Sequence, residues 1–175
     1  MAISTRSDFV ACIRDDAAAN GVEKLTLGAL AKRPTLRFIV VLRFAEWLTA
    51  SSSGFARLPA LLARAYLMRI SVRLGFSIPL NVCGPGLALP HWGSIVISGH
   101  ARNGRNVRIH SGVNVGGTPS AAPVIGDNCY LGPGAKLFGR IELGPGCTVG
   151  ANAVVTRSFP ACTVLVGVPA RPIDE

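Results

Sequence analysis

Aromatic side chains are scarce in this chain: seven Phe, two Trp and two Tyr in 175 residues. A core with few rings must be filled by Val, Ile, Leu, Ala and Gly, which suits small layers repeated many times. Charge is also sparse, at 15% of residues against 49% apolar. That balance excludes intrinsic disorder, because enough apolar surface exists to offset the entropy of ordering the chain. Acidic residues are the rarest charges, 9 against 18 Lys and Arg, giving a net charge of +9. The excess favours an anionic ligand, nucleic acid or an anionic membrane surface, or simply keeps the surface soluble. No nucleic-acid-binding motif is present and no basic helix has base-reading spacing, so a nucleic-acid partner is not expected. The most apolar run, LRFIVVLRFAEWLTA, is broken by Arg43 and Glu46 and is too short to span a bilayer. The start, MAISTRSDFVACIRDD, is polar and carries acids, unlike a signal peptide. Five cysteines (Cys12, Cys83, Cys129, Cys147 and Cys162) form no CxxC pair. An odd number of unpaired cysteines points to free buried thiols and a cytoplasmic location.

Residues 1–75 read as helical. SDFVACIRDDAAAN has Ser7 as a plausible N-cap and Asn20-Gly21 as a stop. Pro34 can open a second helix with Leu36, Ile39, Val40, Phe44, Trp47 and Leu48 as its apolar stripe. SSSG at 51–54 is a break, and LPALLARAYLMRISVRLGF forms a third helix ending near Gly75. This last helix carries Arg64, Arg69 and Arg73. A basic amphipathic helix more often packs its apolar face on its own protein, and peripheral membrane contact through 57–75 is the alternative.

From residue 76 the pattern changes. The 20 glycines and 12 prolines of the chain are too many for a helical bundle, and here they recur every few residues. A period of six is visible. Every sixth residue from Cys83 gives Cys83, Leu89, Ile95, Ala101, Val107, Val113, Pro119, Ile125, Leu131, Leu137, Leu143, Val149 and Val155. Only Pro119 departs from small or aliphatic character. Glycine follows the repeat position at Gly84, Gly126, Gly132, Gly144 and Gly150. One inward side chain per six residues, stacked on its counterpart in the next coil, builds a parallel β-helix of short strands. The helical part could cap one end of that stack, and VLVGVPARPIDE could close the other.

The hexads, with GVNVGGT, PVIGDNCYLGPGAKLFGRIELGPGCTVGANAVV and the closing GVPAR, resemble the left-handed β-helix acyltransferases over about residues 76–173. Within them the chain is most similar to the serine acetyltransferase type, including relatives encoded with polysaccharide genes. The resemblance implies a mainly β fold: a left-handed parallel β-helix over 76–175 behind a short helical extension over 1–75. It implies acetyl-CoA as co-substrate, transfer of acetyl to a hydroxyl, no metal, and a homotrimer with active sites between adjacent β-helices. It also implies a histidine base in an Asp-His-x-x-Gly-like stretch followed by Ile-Val-Ile. The matching segment is PHWGSIVI, which puts His91 at the catalytic position. Taken alone, His91 would read as an ordinary rim histidine. As a base it can take a proton near neutral pH and return it to the leaving thiolate, with no enzyme nucleophile needed.

Three departures bear on mechanism and substrate. Pro90 stands where the family has an aspartate before the histidine. Phe76 aligns with the aspartate that usually orients the base. SAAP, with Ala121 and Ala122, replaces the Arg-His-Pro segment that engages serine. A clefted carboxylate needs a cationic partner, so this last loss points toward a carbohydrate acceptor, a polysaccharide unit or its precursor. Serine O-acetylation in cysteine biosynthesis is the alternative, and a catalytically silent trimeric scaffold is the second. Trp92, His110 and Asn114 are the candidate acceptor contacts, while His100 reads as an exposed turn residue. In the family, CoA contacts are largely backbone groups along the β-helix edge. By position these fall near Gly116, Gly117, Pro133, Ala135, Ala151 and Ala153, with Arg157 and Arg171 as candidates for the CoA phosphates. A γ-carbonic-anhydrase-like zinc site would need histidines at coil spacings, which 91, 100 and 110 fit poorly.

Overall fold

The computed structural model describes residues 3–51 and 54–173. Four α-helices come first: α1 (Arg6–Ala19), α2 (Leu27–Lys32), α3 (Pro34–Ala50) and α4 (Arg57–Leu74). Helix α1 begins two residues earlier than Ser7 as N-cap would allow. Thr5 is the N-cap, its hydroxyl accepting from the Asp8 amide while the Asp8 carboxylate accepts from the Thr5 amide. That reciprocal capping box satisfies two end amides, which Ser7 could not match from inside the first turn. Asn20 ends α1, Pro34 is the first residue of α3, and Gly75, at φ +74°, closes α4. Helix α2 was not evident in the sequence; Thr26 caps it. The expected break at 51–54 has Ser51 capping α3, with 52 and 53 outside the described residues.

Thirteen short strands follow. They are β1 (Phe76–Ser77), β2 (Ile95–Ile97), β3 (Arg102–Asn103), β4 (Arg108–Ile109), β5 (Asn114–Gly116) and β6 (Val124–Ile125). Next come β7 (Tyr130–Leu131), β8 (Lys136–Phe138), β9 (Glu142–Leu143) and β10 (Thr148–Val149). The last three are β11 (Val154–Val155), β12 (Val164–Val166) and β13 (Arg171–Pro172). They wind into a three-faced parallel solenoid, with faces β1-β2-β5-β8-β11, β4-β7-β10-β12-β13 and β3-β6-β9. Among the strands of the described residues, β13 alone runs antiparallel, folding back on β12 to close the far end. Ile97, Val115, Leu137 and Val155 stack in one inward row; Ile109, Leu131, Val149 and Leu165 stack in a second. Each member of these rows is at most 2% exposed.

Twelve of the thirteen residues in the six-residue series are buried, and Pro119 is exposed. The series nevertheless changes meaning partway. Before residue 117 the stacked row runs through Ile97, Ile109 and Val115, two residues after Ile95, Val107 and Val113. After residue 122 the series and the row coincide. Val115 pairs with Leu137, 22 residues on, whereas Leu137 pairs with Val155, 18 on. The four extra residues lie in the turn around Thr118 and Ala121, and four is two short of a full hexad. A second extension, of two residues, falls between inward Leu89 and inward Ile97, and it contains His91.

The helices and the solenoid share one core. Phe38, Ile39, Leu42, Ala63, Leu67 and Ile70 join Phe76, Ile78 and the β-helix interior in a single cluster. Helix α3 is more deeply buried than its expected stripe. Phe38, Leu42 and Ala45 are fully covered, and so are Arg43 and Glu46, at 2% exposure each, whereas Phe44 is exposed. Arg43 is the centre of a buried polar network. Its Nε donates to Asp16 at 2.8 Å, Nη1 to Glu46 at 3.0 Å and to the Cys83 carbonyl at 2.8 Å, and Nη2 to the Gly84 carbonyl at 2.7 Å. Asp16 Oδ1 accepts from the Gly86 and Leu87 amides, each at 2.8 Å, and Glu46 accepts from the Asn81 amide at 2.7 Å. Burial disfavours the guanidinium charge, but Asp16 and Glu46 outweigh it and raise the Arg43 pKa. The two charges that break the apolar run therefore pin the helices to the first coil.

Helix α4 also differs from expectation. Only Ala63, Leu67 and Ile70 are buried, and the helix turns a second apolar face outward. Of the five cysteines, none of them in a disulfide, four are buried; Cys162 is exposed, at a turn position with φ +58°. Burial pushes the Cys12 and Cys83 thiols up to about 12 and the Cys129 thiol up to about 11, which keeps them protonated and inert.

Candidate active site

His91 lies on the edge between the β4-β7 face and the β2-β5 face, in the two-residue extension. Both sides of this segment are tied to helices. On the upstream side the Asn20 side chain, at the end of α1, donates to the Leu87 carbonyl at 2.8 Å and accepts from the Leu89 amide at 3.1 Å. On the downstream side the Gly93 amide donates to the Leu74 carbonyl at 2.9 Å, and the Ile95 amide to the Gly75 carbonyl at 3.0 Å. The Ser94 carbonyl accepts from Gly112 in the coil below at 2.6 Å. Gly93 is needed here: its φ is +131°, and a Cβ would come within 3.1 Å of the Ser111 Cβ. The helical extension thus fixes the backbone that presents His91.

The His91 imidazole is exposed, and no hydrogen bond to it is formed among the described residues. Its ring centroid is 5.9 Å from that of His110, which is 4.9 Å from that of Tyr130, so three rings run down the edge of successive coils. His110 is half-buried, and burial, followed by electrostatic repulsion from His91 and Arg108, lowers its pKa below the ordinary histidine value. His110 is therefore neutral at neutral pH. Phe76 is 4% exposed and packs edge-on against Phe38 with centroids 5.0 Å apart, so it belongs to the core. Pro90 brings no side-chain acceptor. Trp92 is 64% exposed and lines a cleft of about 440 Å³ with Pro90, Leu89, Arg108, Lys32 and Arg33. Among the described residues, three cations and no carboxylate line that cleft.

The remaining candidates fall on two separate edges. Pro133 and Ala151 are exposed at the corner that carries His91 and His110, one coil apart. Asn114 points outward on the adjoining face beside Lys136, whose Nζ donates to the Gly112 carbonyl. Gly116, Gly117 and Arg157 lie on the opposite edge of that face. Gly116 has no room for a Cβ, which would come 2.6 Å from the Phe138 ring, and Gly117 is closed in by Ala122 at 2.7 Å. Their small size is explained within the chain. Ala135 and Ala153 are corrected outright. Both are 0% exposed, and their amides and carbonyls are taken by coil hydrogen bonds, so neither can touch a ligand directly. Arg157 lies over the Phe159 ring at 5.0 Å, and Arg171 is exposed on β13. The loop that would carry an Arg-His pair is a tight turn, with Thr118 and Ala121 bonded to each other and Pro119 and Ser120 exposed at its tip.

Arg108 and Tyr130 were not singled out from the sequence, although a signal was present. Each directly precedes an inward residue, Ile109 and Leu131, so both point outward, and they pair in register. Reading the outward neighbours of the inward row would have placed them beside His110.

A three-faced stack of short parallel coils with an exposed histidine at one edge defines a hexapeptide-type β-helix protein. The family pattern described as Bacterial transferase hexapeptide (six repeats) matches residues 122–157. A serine acetyltransferase of Mycobacterium tuberculosis is 36% identical over 138 residues, 76% of this chain and 58% of the relative. A crystal structure of serine acetyltransferase from Neisseria gonorrhoeae superposes with a TM-score of 0.75 at 26% identity, covering 96% of this chain and 66% of that one. A serine acetyltransferase in complex with CoA superposes with a TM-score of 0.72 at 26% identity, covering 96% and 70%. The chain is similar to the hexapeptide-repeat left-handed β-helix acyltransferases of the serine acetyltransferase type. It spans 58% of the length of the Mycobacterium relative it matches. These relatives are serine acetyltransferases and lend no support to the expected carbohydrate acceptor.

Proposed function

We propose that this chain is an acetyl-CoA-dependent O-acetyltransferase that acts on L-serine with His91 as general base. The observation that carries the reading is the presentation of His91. It stands free on an exposed edge, its backbone is tied to α1 and α4, and a neutral histidine stands beside it. Acetyl-CoA supplies the acyl group as a thioester. His91 takes the hydroxyl proton of the acceptor as oxygen attacks the thioester carbonyl carbon, and gives it to the departing sulfur. The lowered pKa of His110 matters at that moment. An uncharged neighbour does not oppose the imidazolium that forms on His91.

Serine brings a carboxylate, and the Arg-His pair that would meet it is replaced by Ala121 and Ala122. Arg108 is the cation for this role, because it lines the cleft beside Pro90 and Trp92 on the same edge as His110. Backbone groups near Pro133 and Ala151 and the cations Arg157 and Arg171 are the groups of this chain offered to CoA. They lie on separate parts of one copy, which supports a trimer in which the Gly116–Gly117 edge of one copy meets the His91 edge of the next.

The test is thiol release from acetyl-CoA by the purified chain, with L-serine or candidate sugars, alongside His91→Ala. Serine-dependent release that falls about 10²–10⁴-fold in the variant is expected. Release with a sugar but not serine would restore the carbohydrate acceptor. Neither CoA binding nor release by a folded protein would indicate a scaffold, and a fully active variant would remove His91 from the mechanism.

A further inference from the structure

Helix α4 has two apolar faces. With residues about 100° apart around the axis, Ala63, Leu67 and Ile70 fall on one side and are buried. Leu58, Leu61, Ala65, Met68 and Val72 fall on the opposite side. All five are exposed, and the four larger ones are 64–75% accessible. Phe55, just before the helix, is 94% exposed. This outer stripe is bordered by arginines on both flanks, Arg57 and Arg64 on one and Arg69 and Arg73 on the other.

The charge around the stripe is one-sided. Residues 25–75 contain eight cations and a single carboxylate, Glu46. Glu46 is spent on Arg43 in the buried network, and both are 2% exposed. The other seven cations are not buried. A second copy docking by this face would bring arginines against arginines with no carboxylate on the helix to separate them. An anionic bilayer answers both halves of the pattern. Its acyl region takes the apolar stripe, and its headgroup phosphates take guanidinium groups that reach outward along their stems. No helix among the described residues is long and apolar enough to cross a membrane, so the contact is one that lies flat.

We infer that α4 docks the protein on anionic lipid surfaces, with Leu58, Leu61, Met68 and Val72 entering the interface and the four arginines on phosphates. This is independent of the acetyltransferase reading, because the outer stripe is not part of the His91 site.

The experiment is flotation of the full chain with vesicles of phosphatidylcholine alone or mixed with phosphatidylglycerol. Binding is expected only to the mixed vesicles, and raised salt weakens it. Leu61→Ser with Val72→Ser abolishes it, and Arg69→Gln with Arg73→Gln lowers it at least about tenfold, while both variants keep the parent's circular dichroism. A folded parent that ignores mixed vesicles would overturn the inference. Equal binding by parent and variants would overturn it too. So would a smaller particle mass for Leu61→Ser with Val72→Ser in lipid-free light scattering, which would assign the face to a second copy.

Discussion

Replacing Arg43 with Met tests how the helical part is held to the solenoid. The guanidinium is 2% exposed and gives hydrogen bonds to Asp16, Glu46 and the carbonyls of Cys83 and Gly84. Methionine fills most of the volume but leaves two buried carboxylates without a counter-charge. Breaking a buried pair by removing one partner costs about 3–5 kcal/mol. At about 2–4 °C per kcal/mol for a chain of this size, the thermal midpoint falls by about 6–20 °C. Arg43→Lys keeps the charge but not the planar fork that reaches two carboxylates and two carbonyls together, so its loss is smaller but clear. A surface pair supplies the control. Arg105 and Asp15 are 3.0 Å apart with side chains 48% and 29% exposed, and Arg105→Met costs at most about 1 kcal/mol. Urea and thermal unfolding at pH 7 and one protein concentration measure all three. If Arg43→Met costs no more than Arg105→Met, apolar packing alone docks the helices, and the network is not what joins them.

Arg108→Gln raises KM for L-serine about ten- to hundredfold with KM for acetyl-CoA unchanged, as steady-state kinetics would show, because it removes a charge-assisted contact to the carboxylate. A thiol reagent labels one cysteine per folded chain, Cys162, and all five after unfolding, since the other four are buried. Stability falls as pH drops below about 6.5, because the unfolded chain protonates His110 at its ordinary pKa while the fold lowers it; in His110→Gln, urea unfolding at pH 5 and pH 7 shows a smaller difference. Gly132→Ala lowers the thermal midpoint, because its Cβ would come 2.7 Å from the Val149 carbonyl oxygen on the next coil.

The solenoid was legible because one inward side chain in six is a local rule, repeated often enough to survive one broken member at Pro119. The slip of the inward row was not, because the length of a corner is invisible until strands are paired across it. The Arg43 network was hidden for a related reason. Arg43 and Glu46 are visible only as interruptions of an apolar run. Asp16 is 27 residues from Arg43, and the carbonyls that Arg43 meets are 40 and 41 residues away. His91 could be picked out only through likeness to a family motif. Its own neighbours, Pro90 and Trp92, carry no chemical signal. The ties that position it run to Asn20 and Leu74, on helices whose docking no short-range pattern encodes.

The two enlarged corners have a consequence for how such a chain can change over time. Two added residues around His91 and four near Thr118 alter nothing in the coils above and below, because each strand takes its register from the strand it lies on. A corner is thus a place where lineages can lengthen, shorten or exchange a segment while the stack stays in step. A change confined to a corner leaves the stacked rows as they are.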